Sequence, residues 1–97
     1  MKALFVAYNQ AYNQEIVQLL EKVGQRGYTV WEEVGGRGSF DGEPHLGDHA
    51  WPALNHALLS VMEDSLATEA LVLLRKEDEA NPKLGLRAWI LPVEAGL

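Results

Sequence analysis

Three segments of this chain are apolar on both parities: "ALFVAY" (Ala3–Tyr8), "ALLSVM" (Ala57–Met62) and "AWILPV" (Ala88–Val93). A strand with one wet face alternates apolar and polar side chains, whereas a strand covered on both faces reads as a continuous apolar run. If these segments share one sheet, each face of that sheet needs a cover. The helices that the rest of the chain can supply cover one. The other face would leave Phe, Leu, Trp and Val side chains in a contiguous patch of several hundred Å², which soluble monomers rarely expose. The simplest cover is a second copy of the same chain, so the sequence predicts a homo-oligomer.

The elements follow from periodicity. "KALFVAYN" (Lys2–Asn9) is short, apolar and without a helical period, so it reads as a strand. Asn13 is the expected N-cap of a helix, with Glu15 in its first turn. Ile16, Leu19, Leu20 and Val23 form its apolar stripe and Gly24 ends it. "YTVWEEV" (Tyr28–Val34) is β-branched, aromatic and alternating, a second strand. Leu54–Glu63 reads as a third strand. A second helix starts with Asp64 or Ser65 as cap, carries Leu66, Ala70, Leu73 and Leu74 on its stripe, and stops at Asn81-Pro82. Leu86–Ala95 is the last strand, and Pro92 within it points to an edge or a bulge. The order is β-α-β-β-α-β, which implies an α+β, ferredoxin-like domain over residues 1–97. Right-handed crossovers then place two helices on one face of a four-stranded antiparallel sheet.

Composition narrows the function. Eight Lys and Arg against fourteen Asp and Glu give a net charge of −6, and the basic residues are scattered, so no nucleic-acid footprint is present. The chain has no cysteine, which excludes disulfides, thiolate metal sites and a cysteine nucleophile. The apolar start ends at Asn9, too short for a signal peptide or membrane span, so a cytoplasmic protein without membrane insertion is expected.

The segment between strands 2 and 3, "GGRGSFDGEPHLGDHAWP" (Gly35–Pro52), is too long for a turn and too polar for core. Together with the element order it carries a resemblance. A chain of this length whose longest loop joins strands 2 and 3 resembles the PII superfamily, which includes the nitrogen regulatory proteins and the CutA proteins. "GRGSFDGEPHLGDHAWP" (Gly36–Pro52), followed by "NHALLSVME", is similar to a PII-like branch often found beside heavy-metal efflux systems. The resemblance implies a homotrimer with sheets facing inward. It also implies a regulatory or signalling role and a long loop, the T-loop, that reaches a regulatory protein or a membrane transporter. The chain departs from the classical members at two points. Their T-loop tyrosine is missing. Their glycine-rich nucleotide loop corresponds to "NPKLGLR" (Asn81–Arg87), which holds one glycine, Gly85, beside Lys83 and Arg87. One glycine is fewer than a phosphate cradle built from consecutive N–H groups calls for.

Within the loop the residues support several chemistries. Asp41, Glu43, His45, Asp48 and His49 lie close together, with His56 seven residues after His49. Imidazole and carboxylate suit Zn, Cu, Ni or Co, so His45 and His49 with Glu43 form the candidate metal set, within one chain or across a threefold axis. His56 is alternatively a hydrogen-bonded core histidine. "GGRGS" could close on an anion through its N–H groups and Arg37, or serve as a hinge. Arg37, Ser39, Phe40, Asp41, Glu43 and Trp51 are the candidate ligand or partner contacts, and Phe, Trp and Arg anchor interfaces elsewhere. Trp51 has a second reading, packed into the core or the subunit interface; Trp31 and Trp89 are expected in core or interface. Ser39, His45 and Asp48 contain the residue types of a triad, but their spacing matches no nucleophile elbow. Glu32 and Glu33 are expected on opposite strand faces, and Glu77, Asp78 and Glu79 read as a solvated helix end. A binding protein rather than an enzyme is expected.

Overall fold

In a computed structural model, residues 1–36, 54–82 and 85–97 are described. The elements are β1 (Lys2–Asn9), α1 (Asn13–Lys22), β2 (Thr29–Val34), β3 (Asn55–Met62), α2 (Asp64–Ala80) and β4 (Arg87–Pro92), with a 3-10 turn at Gln10–Tyr12 leading into α1. All three strand pairings are antiparallel and the sheet order is β2-β3-β1-β4. This is the expected β-α-β-β-α-β arrangement, and Pro92 closes an edge strand, opposite Lys2 at the end of the β1–β4 ladder.

Register sorts the side chains onto two faces. Leu4 pairs with Ser60, Val6 with Leu58 and Tyr8 with His56 on one face; Phe5 pairs with Leu59 and with Trp89, and Ala3 with Val61 and Leu91, on the other. The first face meets the helices. Leu4, Val6, Tyr8, Leu58 and Met62 are buried with Ile16, Leu19, Leu20 and Val23 of the α1 segment and with Ala67, Ala70 and Leu74 of α2. The α1 stripe is the one the period predicts. On α2 the buried set is shifted: Ala67 lies in the core, while Leu66 and Leu73 pack at its border. Small side chains at the centre of that face let the helix approach the sheet closely, a placement that hydrophobicity alone does not rank.

Both expected caps differ from the structure. Asn13 is the first residue of α1 rather than its cap, and the preceding Tyr12 makes no side-chain cap bond. Asn9 does the capping one turn earlier, its Oδ1 accepting from Ala11 N–H at 3.0 Å. Asp64 likewise lies inside α2, and the flanking Glu63 makes no side-chain cap bond. Gly24 closes α1 at φ 92°, and its N–H donates to the Glu21 carbonyl. β2 carries a register shift between Trp31 and Val34, with Glu33 at φ 56°. Glu32 and Glu33 therefore sit at a bulge, where regular alternation between faces is interrupted. Among the described residues no helix is long and apolar enough to cross a membrane.

Candidate functional site

Among the described residues, no helix lies over the second face of the sheet. Trp31, Val61, Trp89 and Leu91, on β2, β3 and β4, are 42–52% exposed there. The Phe5 and Trp89 rings meet at a tilt of 37°, with centroids 6.2 Å apart. The apolar runs on both parities thus leave the apolar face that the sequence predicts, and the two tryptophans lie on it rather than in the core.

One end of this face is concave. Register brings together the end of β1, the start of β3, the end of β2 and the start of β4: Ala7 faces Arg87, and Asn55 faces both Asn9 and Val34. Around them is a cavity of about 510 Å³ lined by Gly35, Gly36, Asn55, Gly85, Arg87 and Trp89, with Phe5 and Ala7 as part of its wall. Ligand pockets commonly fall between about 300 and 1,000 Å³. Two glycines have local reasons to be there. Gly85 is buried at φ 71°, a left-handed conformation that costs glycine little and other residues more. A Cβ on Gly36 would come within 3.3 Å of Asn55 Nδ2, so the backbone approaches that side chain closely. Among the described residues, Arg87 is the cation of this lining. Its Nη1 donates to the Leu86 carbonyl at 2.7 Å and stands 3.7 Å from Asp78 Oδ1. The cavity thus has an aromatic wall at Trp89 and Arg87 in its lining, although the Arg87 guanidinium is turned to the Leu86 carbonyl and towards Asp78.

A second polar cluster lies on the helix face. The Tyr8 hydroxyl donates to Asn13 Oδ1 at 2.6 Å, and His56 Nδ1 lies 3.1 Å from the same oxygen. Tyr8 and His56 meet edge-on at 5.8 Å. Burial, and secondly Tyr28, push the Tyr8 hydroxyl up to about 12. His56 is thus tied into the fold, the structural alternative of its two readings. Asp78 is a correction to the solvated helix end: it is half-buried and paired with Arg87.

Of the candidate site residues, Arg87 joins the cavity, beside Gly85. Arg37, Ser39, Phe40, Asp41, Glu43, His45, Asp48, His49, Trp51 and Lys83 lie outside the described residues. Among the described residues no group of three or more His, Asp or Glu is placed to hold a metal. The pairings of Asp78 and Asn13 were not legible in the sequence: Arg87 follows Asp78 by nine residues beyond the helix end, and Asn13 joins Tyr8 of β1 with His56 of β3.

No family model matches the chain, and no curated protein matches it. Solved structures do. CPII from Thiomonas intermedia K12, a nitrogen regulatory PII-like protein, bound to ADP, AMP and bicarbonate, is 18% identical with a TM-score of 0.77, covering 99% of this chain and 92% of that one. The chain has the PII-like fold. The apo form of CPII is 17% identical (TM-score 0.71; 92% of this chain, 84% of that one). A candidate PII-like signalling protein from Thermus thermophilus is 20% identical (TM-score 0.65; 92% and 81%). In this fold the cavity sits at the open sheet face, beside Gly36 and Asn55.

Proposed function

We propose that this chain is a PII-like regulatory protein that works as a homotrimer and senses a small anionic ligand in the open-face cavity. The observation that carries the reading is the cavity itself: Gly35 and Gly36, which lead into the long loop, share it with Gly85 and Arg87, from the one stretch where a PII-like nucleotide loop is expected. CPII, similar in fold, is bound to ADP, AMP and bicarbonate, and this supports an adenine nucleotide or bicarbonate as ligand here. Arg87 would take the phosphate or carboxylate, with backbone N–H groups as further donors. Trp89 would offer a face for a planar ring. Trimerisation covers the apolar sheet face with copies of itself.

Regulation follows from location. A ligand in contact with Gly35 and Gly36 sets the root of the 35–52 loop, through which the protein meets a regulatory protein or membrane transporter in the cytoplasm. Arg37, Ser39, Phe40, Asp41, Glu43 and Trp51 are the contacts proposed for that meeting. The chain binds and signals rather than catalysing. Divalent-metal binding by His45, His49 and Glu43 remains a separate proposal resting on residue type.

Native mass spectrometry joined to calorimetric titration with ADP, AMP and bicarbonate tests the reading. Three times the chain mass of 10.8 kDa is expected, together with binding heat from at least one ligand that Arg87→Gln removes. A single-chain mass and no heat from any of the three would sink it.

A further inference from the structure

Arg87 belongs to two cavities at once. It lines the open-face cavity, and it also lines a smaller one of about 160 Å³ between α2 and β4, with Leu71, Leu74, Arg75 and Asp78. Its Cα faces Ala7, which places it on the open face by strand parity, yet its guanidinium reaches Asp78 on α2, in the other layer. The edge position of β4 permits this, because no further strand blocks the way around it.

The pair with Asp78 is loose. At 3.7 Å it is beyond hydrogen-bond distance. Asp78 Oδ1 is shielded from water, and among the described residues it accepts no hydrogen bond. A shielded carboxylate oxygen without a hydrogen bond favours keeping the guanidinium charge nearby, but the contact is long, and the short bond of Arg87 Nη1 goes to the Leu86 carbonyl at 2.7 Å. An entering phosphate or carboxylate could offer Arg87 two short, charge-assisted bonds instead.

We infer that Asp78 is a built-in competitor for the ligand: it holds Arg87 against α2 while the cavity is empty and gives it up to an anionic group. Asp78 is then a positioning residue, setting the ligand concentration at which the site fills. The inference rests on the proposed reading of Arg87 as the anion contact, and the test separates the two.

Full-length wild type, Asp78→Asn, Arg87→Gln, the double variant and Glu79→Gln are titrated with ADP, inorganic phosphate and bicarbonate. Asp78→Asn is expected to tighten binding roughly two- to fivefold, the range of a partly exposed ion pair. Glu79→Gln removes the same charge from the same helix end and should give a smaller gain. In the Arg87→Gln background Asp78→Asn should change nothing. A response to ADP and phosphate assigns the phosphate group as competitor of Asp78, and a response to bicarbonate alone assigns the carboxylate. Weaker or unchanged binding by Asp78→Asn, or a gain matched by Glu79→Gln, overturns the competitor role while leaving the site. Wild-type affinity in Arg87→Gln, or no binding by wild type, overturns the site and the competitor together.

Discussion

Trp89 offers the sharpest test of the open face. It is 52% exposed and lies tilted against Phe5. A large aromatic side chain buries about 150–250 Å² when covered, so roughly 100 Å² of Trp89 waits for a partner surface. At about 25 cal/mol per Å² that is about 2.5 kcal/mol per copy. A threefold assembly holds three copies, so Trp89→Asp removes roughly 7 kcal/mol of burial, before the cost of desolvating three carboxylates. The trimer constant then falls by about five decades, and because monomer concentration enters as its cube, the half-assembly concentration rises on the order of several hundredfold. Light scattering across a dilution series reads this directly. The circular dichroism spectrum should not change, since Trp89 is outside the helix-face core. Val72→Asp is the matched control, because Val72 is 46% exposed on α2, which packs on the other sheet face. The reasoning fails if Trp89→Asp keeps the wild-type mass at micromolar concentration, if wild type is already a single chain there, or if Val72→Asp dissociates the protein equally.

Other expectations follow from single sites. Tyr8 is raised from 10.0 to about 12, so the folded state holds its proton more tightly than the unfolded state. Its stabilising contribution is therefore complete below about pH 10 and is lost as pH climbs towards 12, roughly 2–3 kcal/mol in all. Alkaline unfolding of Tyr8→Phe should lack that slope, and identical curves for the two proteins would contradict it. Gly24→Ala meets no atom within 4 Å but must hold φ 92°, so a loss of about 1–2 kcal/mol in urea unfolding is expected from backbone strain alone. If His45 and His49 bind Zn or Cu(II), the metal raises the melting temperature of wild type and not of His45→Ala or His49→Ala; equal shifts in all three would end the metal reading. Deleting Ser39–Asp48 should abolish partner capture and leave the mass of the assembly unchanged, and retained capture would place the contact elsewhere.

The amino-acid sequence by itself determined the element order, the α1 stripe and the unsatisfied sheet face, because those follow from periods of 2 and 3.6 residues and from counting the covers available. It also named Arg87 among the candidate site residues. Caps were less legible. Asn13 has the residue type of a cap, but a 3-10 turn moves the capping to Asn9 and frees Asn13 to receive the Tyr8 hydroxyl. Such choices turn on a few tenths of a turn of backbone, which composition does not encode. The tertiary structure alone decided that Asn55, Gly36 and Trp89 surround one cavity, and that Arg87 reaches back over an edge strand to Asp78. The physical reason is range. Periodicity records what each residue needs from its nearest turn or strand, while a site is made where register and helix packing bring distant segments to one point.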